Sequence, residues 1–162
     1  METQSQLSGD CLEAVITKHS DMVYKLALAQ TKNAADADDV YQDVFLRFIK
    51  KKPDFESDEH QKAWFLRVTI NCSKSMSSSA WRKKTLPLDE SMEHTTKEQL
   101  DLLSELQKLP KKYSAVIHLF YYEDMSINEI SNVISKSPSA VKMRLSRARK
   151  MLKGIIKEED YV

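Results

Sequence analysis

With 162 residues, only two glycines and four prolines, and many Leu, Lys, Glu, Ala, Ser and Met, the chain reads as all-α, since sheets need more turn residues and more β-branched content. Its 25 basic and 24 acidic side chains nearly cancel, an unusual balance for a free-standing DNA binder. No apolar run approaches about 18 residues and no basic-then-apolar segment opens the chain, so neither a membrane span nor a signal peptide is expected.

The length admits one domain or two small ones. Charge is segregated: residues 1–86 carry 13 basic and 12 acidic side chains, residues 87–104 one and five, residues 105–162 eleven and seven. An acidic interlude between two helical parts is what a solvated linker looks like. Cys11 and Cys72 have no second cysteine or histidine at ligand spacing, which predicts reduced thiols in a cytosolic protein and no metal site.

After a polar stretch at residues 1–9, Leu12, Val15, Ile16, His19, Val23 and Leu26 form the apolar stripe of a helix reaching about Lys32, with His19 read as a core residue. Asn33 ends that helix or caps the next, which runs from Asp36 to Lys52 with carboxylates first and lysines last, as the helix dipole favours. Ala37, Val40, Val44 and Phe48 face inward, leaving Asp38, Asp39, Gln42, Asp43 and Leu46 outside. Acidic groups around an exposed leucine make a docking patch for a basic protein partner and exclude DNA there.

Pro53 stops this helix, and a polar loop leads to a third, with Asp58 or Glu59 expected as its N-cap. Trp64, Phe65, Val68 and Cys72 fit a core stripe. The alternative is that Lys62, Trp64, Arg67, Asn71 and Lys74 hold unpaired bases, because aromatics stack on bases and amides bond their edges. The helix is predicted to continue through serines to Trp81, Arg82, Lys83 and Lys84, a basic tetrad suited to phosphates. Residues 85–95, with Pro87, Asp89, Glu90 and Glu93, read as the linker.

Thr95 and Glu98 offer a capping box ahead of Leu100, Leu103, Leu106 and Leu109, and Pro110 breaks the run. Tyr113, Val116, Ile117, Phe120 and Tyr121 then pack behind a helix-turn-helix. Its first helix opens with the capping box of Ser126 and Glu129, and its second with Ser137 followed by Pro138. Inward stripes are Ile127, Ile130, Val133 and Ile134, then Val141, Leu145, Ala148, Leu152 and Ile155. Outward stand Ser139, Lys142, Met143, Ser146, Arg147 and Lys150, flanked by Arg144 and Arg149. Lys136 to Lys157 holds eight cations and no carboxylate, where a merely solvated helix would alternate the signs. An anionic partner, the DNA major groove, is the expectation.

Taken together, DADDVYQDVFLRF, AWFLRVTINCSKS, LPLDE and the long run LPKKYSAVIHLFYYEDMSINEISNVISKSPSAVKMRLSRARKMLK resemble, in that order, regions 2.2, 2.3, the linker and region 4 of bacterial RNA polymerase sigma factors of the sigma-70 family, in its extracytoplasmic-function group. The resemblance covers about residues 12–156. It implies a sigma-2-like helical domain at 10–84, a flexible linker at 85–95, and a sigma-4-like helix-turn-helix domain at 96–157. By the same resemblance, Asp38, Asp39, Gln42, Asp43 and Leu46 would meet the core polymerase. Lys62, Trp64, Arg67, Asn71, Lys74, Arg82 and Lys83 would serve the promoter −10 element. Ser139, Ala140, Lys142, Met143, Ser146 and Arg147 would read the −35 element, with Arg144, Arg149 and Lys150 on phosphates.

The family also implies an anti-sigma partner, often membrane-bound, with no cofactor, catalytic residue or small-molecule substrate. The sequence departs from the common pattern at Ser75 and Ser77 to Ser79, at Ser135 where glycine often makes the turn, and at Lys142 and Met143. No particular promoter sequence therefore transfers. Without the acidic patch, the residues would equally fit a stand-alone helix-turn-helix regulator.

Overall fold

The computed structural model describes residues 10–76 and 104–160. The expected linker, the Thr95–Glu98 capping box, Leu100, Leu103, and the tetrad containing Arg82 and Lys83 lie outside the described residues. Three long helices come first: α1 (Asp10–Thr31), α2 (Ala34–Lys51) and α3 (Asp58–Met76). A helical turn at 104–107 precedes α4 (Lys111–Ile117), which runs directly into a π-helical segment, His118–Tyr122. The helix-turn-helix pair is α5 (Ile127–Ile134) and α6 (Pro138–Asp160).

Caps set the boundaries. Asn33, in extended backbone, accepts the Asp36 amide at 2.8 Å and donates its side-chain amide to the Asp36 carboxylate at 2.9 Å, so it opens α2. At the other end Lys52 takes the left-handed conformation, φ 43°, and donates its N–H to the Phe48 carbonyl before Pro53. The cap of α3 is Ser57 and not the expected Asp58 or Glu59: its hydroxyl accepts the His60 amide at 3.1 Å. The two carboxylates sit instead in the first turn, where they complement the dipole.

The first core lies among α1, α2 and α3, where Val23, Ala27, Val40, Val44, Phe45, Phe48 and Phe65 are buried. His19 belongs to it: its ring stacks on Phe65 at 4.7 Å, its Nε2 bonds Gln61 at 2.9 Å, and burial lowers its pKa. Cys72 is also buried there, its thiol pushed up to about 12 by burial and then by Asp43.

The second core gathers Leu106, Leu109, Val116, Ile117, Leu119, Ile130, Val133, Val141, Leu145 and Ala148. It also takes in Leu26, Leu66 and Ile70 from α1 and α3. At 100° per residue, α3 therefore carries two apolar stripes: Phe65, Val68 and Cys72 face its own bundle, whereas Ala63, Leu66 and Ile70 face the C-terminal helices. Only the first of these stripes is among the sequence-based expectations. The two helical units are packed on one another through the second.

Candidate nucleic-acid and partner-binding faces

The acidic face of α2 has the expected composition. Asp38, Asp39, Gln42 and Leu46 are exposed and Asp43 is half-buried. Leu46 is 52% exposed, and Ile49, three residues on, is 42% exposed. Ile49 extends the apolar centre and was not singled out from sequence, although its i+3 spacing from Leu46 was the available signal. The Asp43 carboxylate accepts from Arg47 Nε at 3.3 Å.

The cationic face of α6 rests on caps that satisfy both helix starts. Ser126 Oγ accepts the Glu129 amide and Glu129 Oε1 accepts the Ser126 amide, both at 3.1 Å. Ser137 Oγ accepts the Ala140 amide at 3.1 Å with Pro138 at the first helical position. Between the helices Ser135 adopts φ 56°, ψ 45°, the left-handed conformation that glycine would take without steric cost. Lys136 is tied back on both groups, its N–H to the Ser131 carbonyl at 3.2 Å and its carbonyl accepting the Ser131 hydroxyl.

Val141, Leu145 and Ala148 are buried, and Leu152 is half-buried. Ser139, Lys142, Met143, Ser146, Arg147, Arg149 and Lys150 are exposed, while Ala140 and Arg144 are half-buried. Met143 in particular is 48% exposed on this otherwise polar helix face.

Two of these arginines lie against tyrosines expected from the sequence only to pack, and one of them is tethered there. Arg149 Nε donates to Tyr121 Oη at 2.7 Å, and the guanidinium lies 5.4 Å and 5.5 Å from the Phe120 and Tyr121 ring centroids. Arg147, beside the Tyr113 hydroxyl, lowers the pKa of that group. The π-helical turn is what swings Tyr121 outward, to 52% exposure, beside α6.

The third group is divided. Trp64 is half-buried in an aromatic cluster with Phe48, Phe55 and Phe65, at centroid distances of 6.1, 5.9 and 5.0 Å. It forms part of the core and keeps one edge at the surface. Asn71 and Lys74 are exposed, and the count of 100° per residue puts Asn71 on the same strip as Trp64. Lys62 and Arg67 point elsewhere. Lys62 Nζ pairs with Glu123 Oε2 at 3.1 Å, and Arg67 donates Nη2 to the Asn132 carbonyl at 2.6 Å and Nε to the Val133 carbonyl at 3.3 Å. Both cations are thus engaged by the C-terminal unit.

Among the described residues no group of His, Cys, Asp or Glu is placed to hold a metal ion, and no helix is long and apolar enough to cross a membrane.

The family model for sigma-70 region 2 matches residues 15–83, and that for sigma-70, region 4, matches residues 99–152. Over 163 residues the chain is 26% identical to the RNA polymerase sigma factor SigV of Bacillus subtilis, covering 97% of this chain and 98% of that one. It is 26% identical over 167 residues to the ECF RNA polymerase sigma factor SigE of Mycolicibacterium smegmatis, covering 95% of this chain and 65% of that protein. The fold is similar to that of the sigma factor RpoE from Bartonella quintana in its co-crystal with the anti-sigma factor NepR, with TM-score 0.75, 18% identity, and 92% and 98% of the two chains covered. An acidic face centred on leucine lies within the first matched region and a cationic recognition helix within the second, and the chain belongs to the sigma-70 family of RNA polymerase sigma factors, in its extracytoplasmic-function group.

Proposed function

We propose that this sigma factor binds core RNA polymerase through the outward face of α2 and carries it to promoters that it reads at two separated elements. Asp38, Asp39, Gln42, Asp43 and Leu46, with Ile49 added, form the polymerase contact: the carboxylates steer a basic partner and the apolar centre supplies affinity on desolvation. On α3, Trp64 and Asn71 stand on one strip suited to stacking and edge-bonding an unpaired −10 base, with Lys74, Arg82 and Lys83 as its cations; Lys62 and Arg67, engaged by Glu123 and the α5 carbonyls, serve it only when released from them. On α6, Ser139, Ala140, Lys142, Met143, Ser146 and Arg147 read the −35 major groove while Arg144, Arg149 and Lys150 meet phosphates.

The working units are residues 10–84 and 96–157, with 85–95 between them. The protein works in the cytoplasm without catalytic chemistry or cofactor of its own, and an anti-sigma factor regulates it, in keeping with the partner of the similar Bartonella sigma factor.

The observation that carries this reading is the separation of sign: an acidic face with an exposed leucine on α2 has no use in a stand-alone DNA reader, and the basic face of α6 has no carboxylate interrupting it. The test is multi-round transcription with core polymerase on sheared genomic DNA from the same source. New transcripts dependent on the chain are expected. Their absence on every template, with sequence-specific duplex binding by the chain alone and undiminished by reversing Asp39 and Asp43 to lysine, would establish the stand-alone regulator instead.

A further inference from the structure

Two thioethers stand at the surface of the recognition helix. Among the methionines whose side chains are described, Met125 is 6% exposed and Met22 is packed against both cores, whereas Met143 is 48% and Met151 38% exposed. Both exposed ones belong to α6, eight residues apart, and Arg147 lies midway, four residues from each. Side chains four apart on a helix are neighbours. The Arg147 guanidinium is therefore within reach of either sulfur, on the face proposed to meet the −35 element.

A thioether offers an arginine little to bond, because its sulfur is a weak acceptor. One added oxygen atom changes that. A sulfoxide is polar and no longer behaves as an apolar side chain. At position 143 it removes the apolar group that stands among Lys142, Ser146 and Arg147, and its oxygen gives Arg147 an acceptor in competition with DNA. Cys72 does not divert the oxidant: it is 2% exposed and burial pushes its thiol up to about 12, so the reactive thiolate is scarce near neutral pH.

This inference rests on the −35 role proposed for α6. We propose that Met143 is a modification site, at which oxidation of the thioether to a sulfoxide by a peroxide or hypochlorous acid switches off promoter reading. The sulfur lone pair takes one oxygen atom from the oxidant and the sulfur is oxidised by two electrons. Hydrogen peroxide leaves as water, and hypochlorous acid as chloride and a proton. The step is reversible: two thiols of a methionine sulfoxide reductase supply the two electrons and two protons, giving back the thioether with one disulfide and one water.

The full chain, without polymerase, is treated with graded hydrogen peroxide, the excess is destroyed with catalase, and its peptides are weighed by mass spectrometry. Sulfoxide is expected at Met143 and Met151 ahead of Met22 and Met125; oxidation of Met143 no earlier than that of Met125 overturns the site. Core polymerase is then added, and run-off transcription is measured on a promoter recovered in the genomic assay, each protein against its own untreated level. Wild type should lose about fivefold or more, the lower end of what one base contact contributes, and recover after incubation with the reductases for both sulfoxide epimers. Met151→Leu should lose as much, while Met143→Leu should hold its own untreated level. An equal loss in Met143→Leu places the damage elsewhere and overturns the proposal. A template with scrambled −35 bases separates this inference from the reading beneath it. If untreated wild type transcribes that template as well as the intact one, the −35 reading fails and the switch with it. If the scrambled template is transcribed less well, yet oxidation costs nothing on the intact one, the switch alone fails.

Discussion

Single residues decide how the recognition helix presents its charges. Arg149 spends its Nε on Tyr121 and stacks over two rings, which leaves both terminal amino groups of its fork for the phosphate contact we propose. A tethered fork loses less rotamer freedom on binding than a free one. Tyr121→Phe keeps the rings and removes the hydroxyl. We expect it to cost about 0.5–1.5 kcal/mol of promoter affinity in the polymerase-bound form, the range of one hydrogen bond. The loss should vanish in an Arg149→Ala background, and equal losses in both backgrounds would reject the tether. At Ser135 the resemblance puts a turn that glycine often makes, and the residues alone leave open whether serine takes that backbone or the turn differs; its φ of 56° is the left-handed one. The Tyr121 tether was not legible from sequence. It depends on the π-helical turn at His118–Tyr122, which shifts the register of every side chain after it and has no signature in hydrophobic spacing.

At the scale of elements, the face of α2 and the inward side of the π-helical segment make opposite predictions. Leu46 is 52% exposed and supports no core, so Leu46→Ala should leave thermal unfolding of the free chain within about 0.5 kcal/mol of wild type. Its affinity for core polymerase should nonetheless fall by more than about 1 kcal/mol, as at a buried interface centre. A change in stability with no change in affinity would reassign Leu46 to the fold.

His118 is the reverse case: fully buried, stacked on Tyr122 at 4.9 Å, with neither ring nitrogen hydrogen-bonded among the described residues. Burial first, and the Lys25 charge second, push its pKa down to about 3. The imidazole is therefore neutral in the fold, while the unfolded chain protonates it near 6.5. Between those values the unfolded state binds the extra proton, so stability falls as pH drops below 6.5, by at most about 1.4 kcal/mol per pH unit, and is unaffected above it. His19, also lowered by burial, adds in the same direction. Urea unfolding at pH 7.5 and 5.5 measures the slope. His118→Phe should flatten it, and an unchanged slope would place the acid sensitivity elsewhere.

Across the whole molecule, the order of helices, both helix-turn-helix caps and the outward faces of α2 and α6 follow from local chemistry, in which spacing, caps and charge all act within a few residues. The join between the units is of another kind. Leu66 and Ile70 look redundant in a helix that already has Phe65, Val68 and Cys72 for its core, and nothing local says that a second stripe meets residues far along the chain. Across the join each unit supplies donors to the other's backbone: Arg67 to the last carbonyls of α5 and Lys111 to the Ser73 carbonyl of α3.

If the units were independent, Leu66 would be a surface residue, and Leu66→Ala would be almost neutral. Packed as it is, with no exposed surface, its truncation leaves a cavity and should cost about 2–5 kcal/mol. The cost should also be felt at a distance, because the cavity lies in the core that Val116, Ile130 and Leu145 share. Amide hydrogen exchange in Leu66→Ala should accelerate in α4 and α5 as well as in α3, with guanidinium unfolding shifted for both units together. Faster exchange confined to α3, with α4 and α5 as protected as in wild type, would mean that the C-terminal unit is stable without its partner and that the shared core is not a cooperative one.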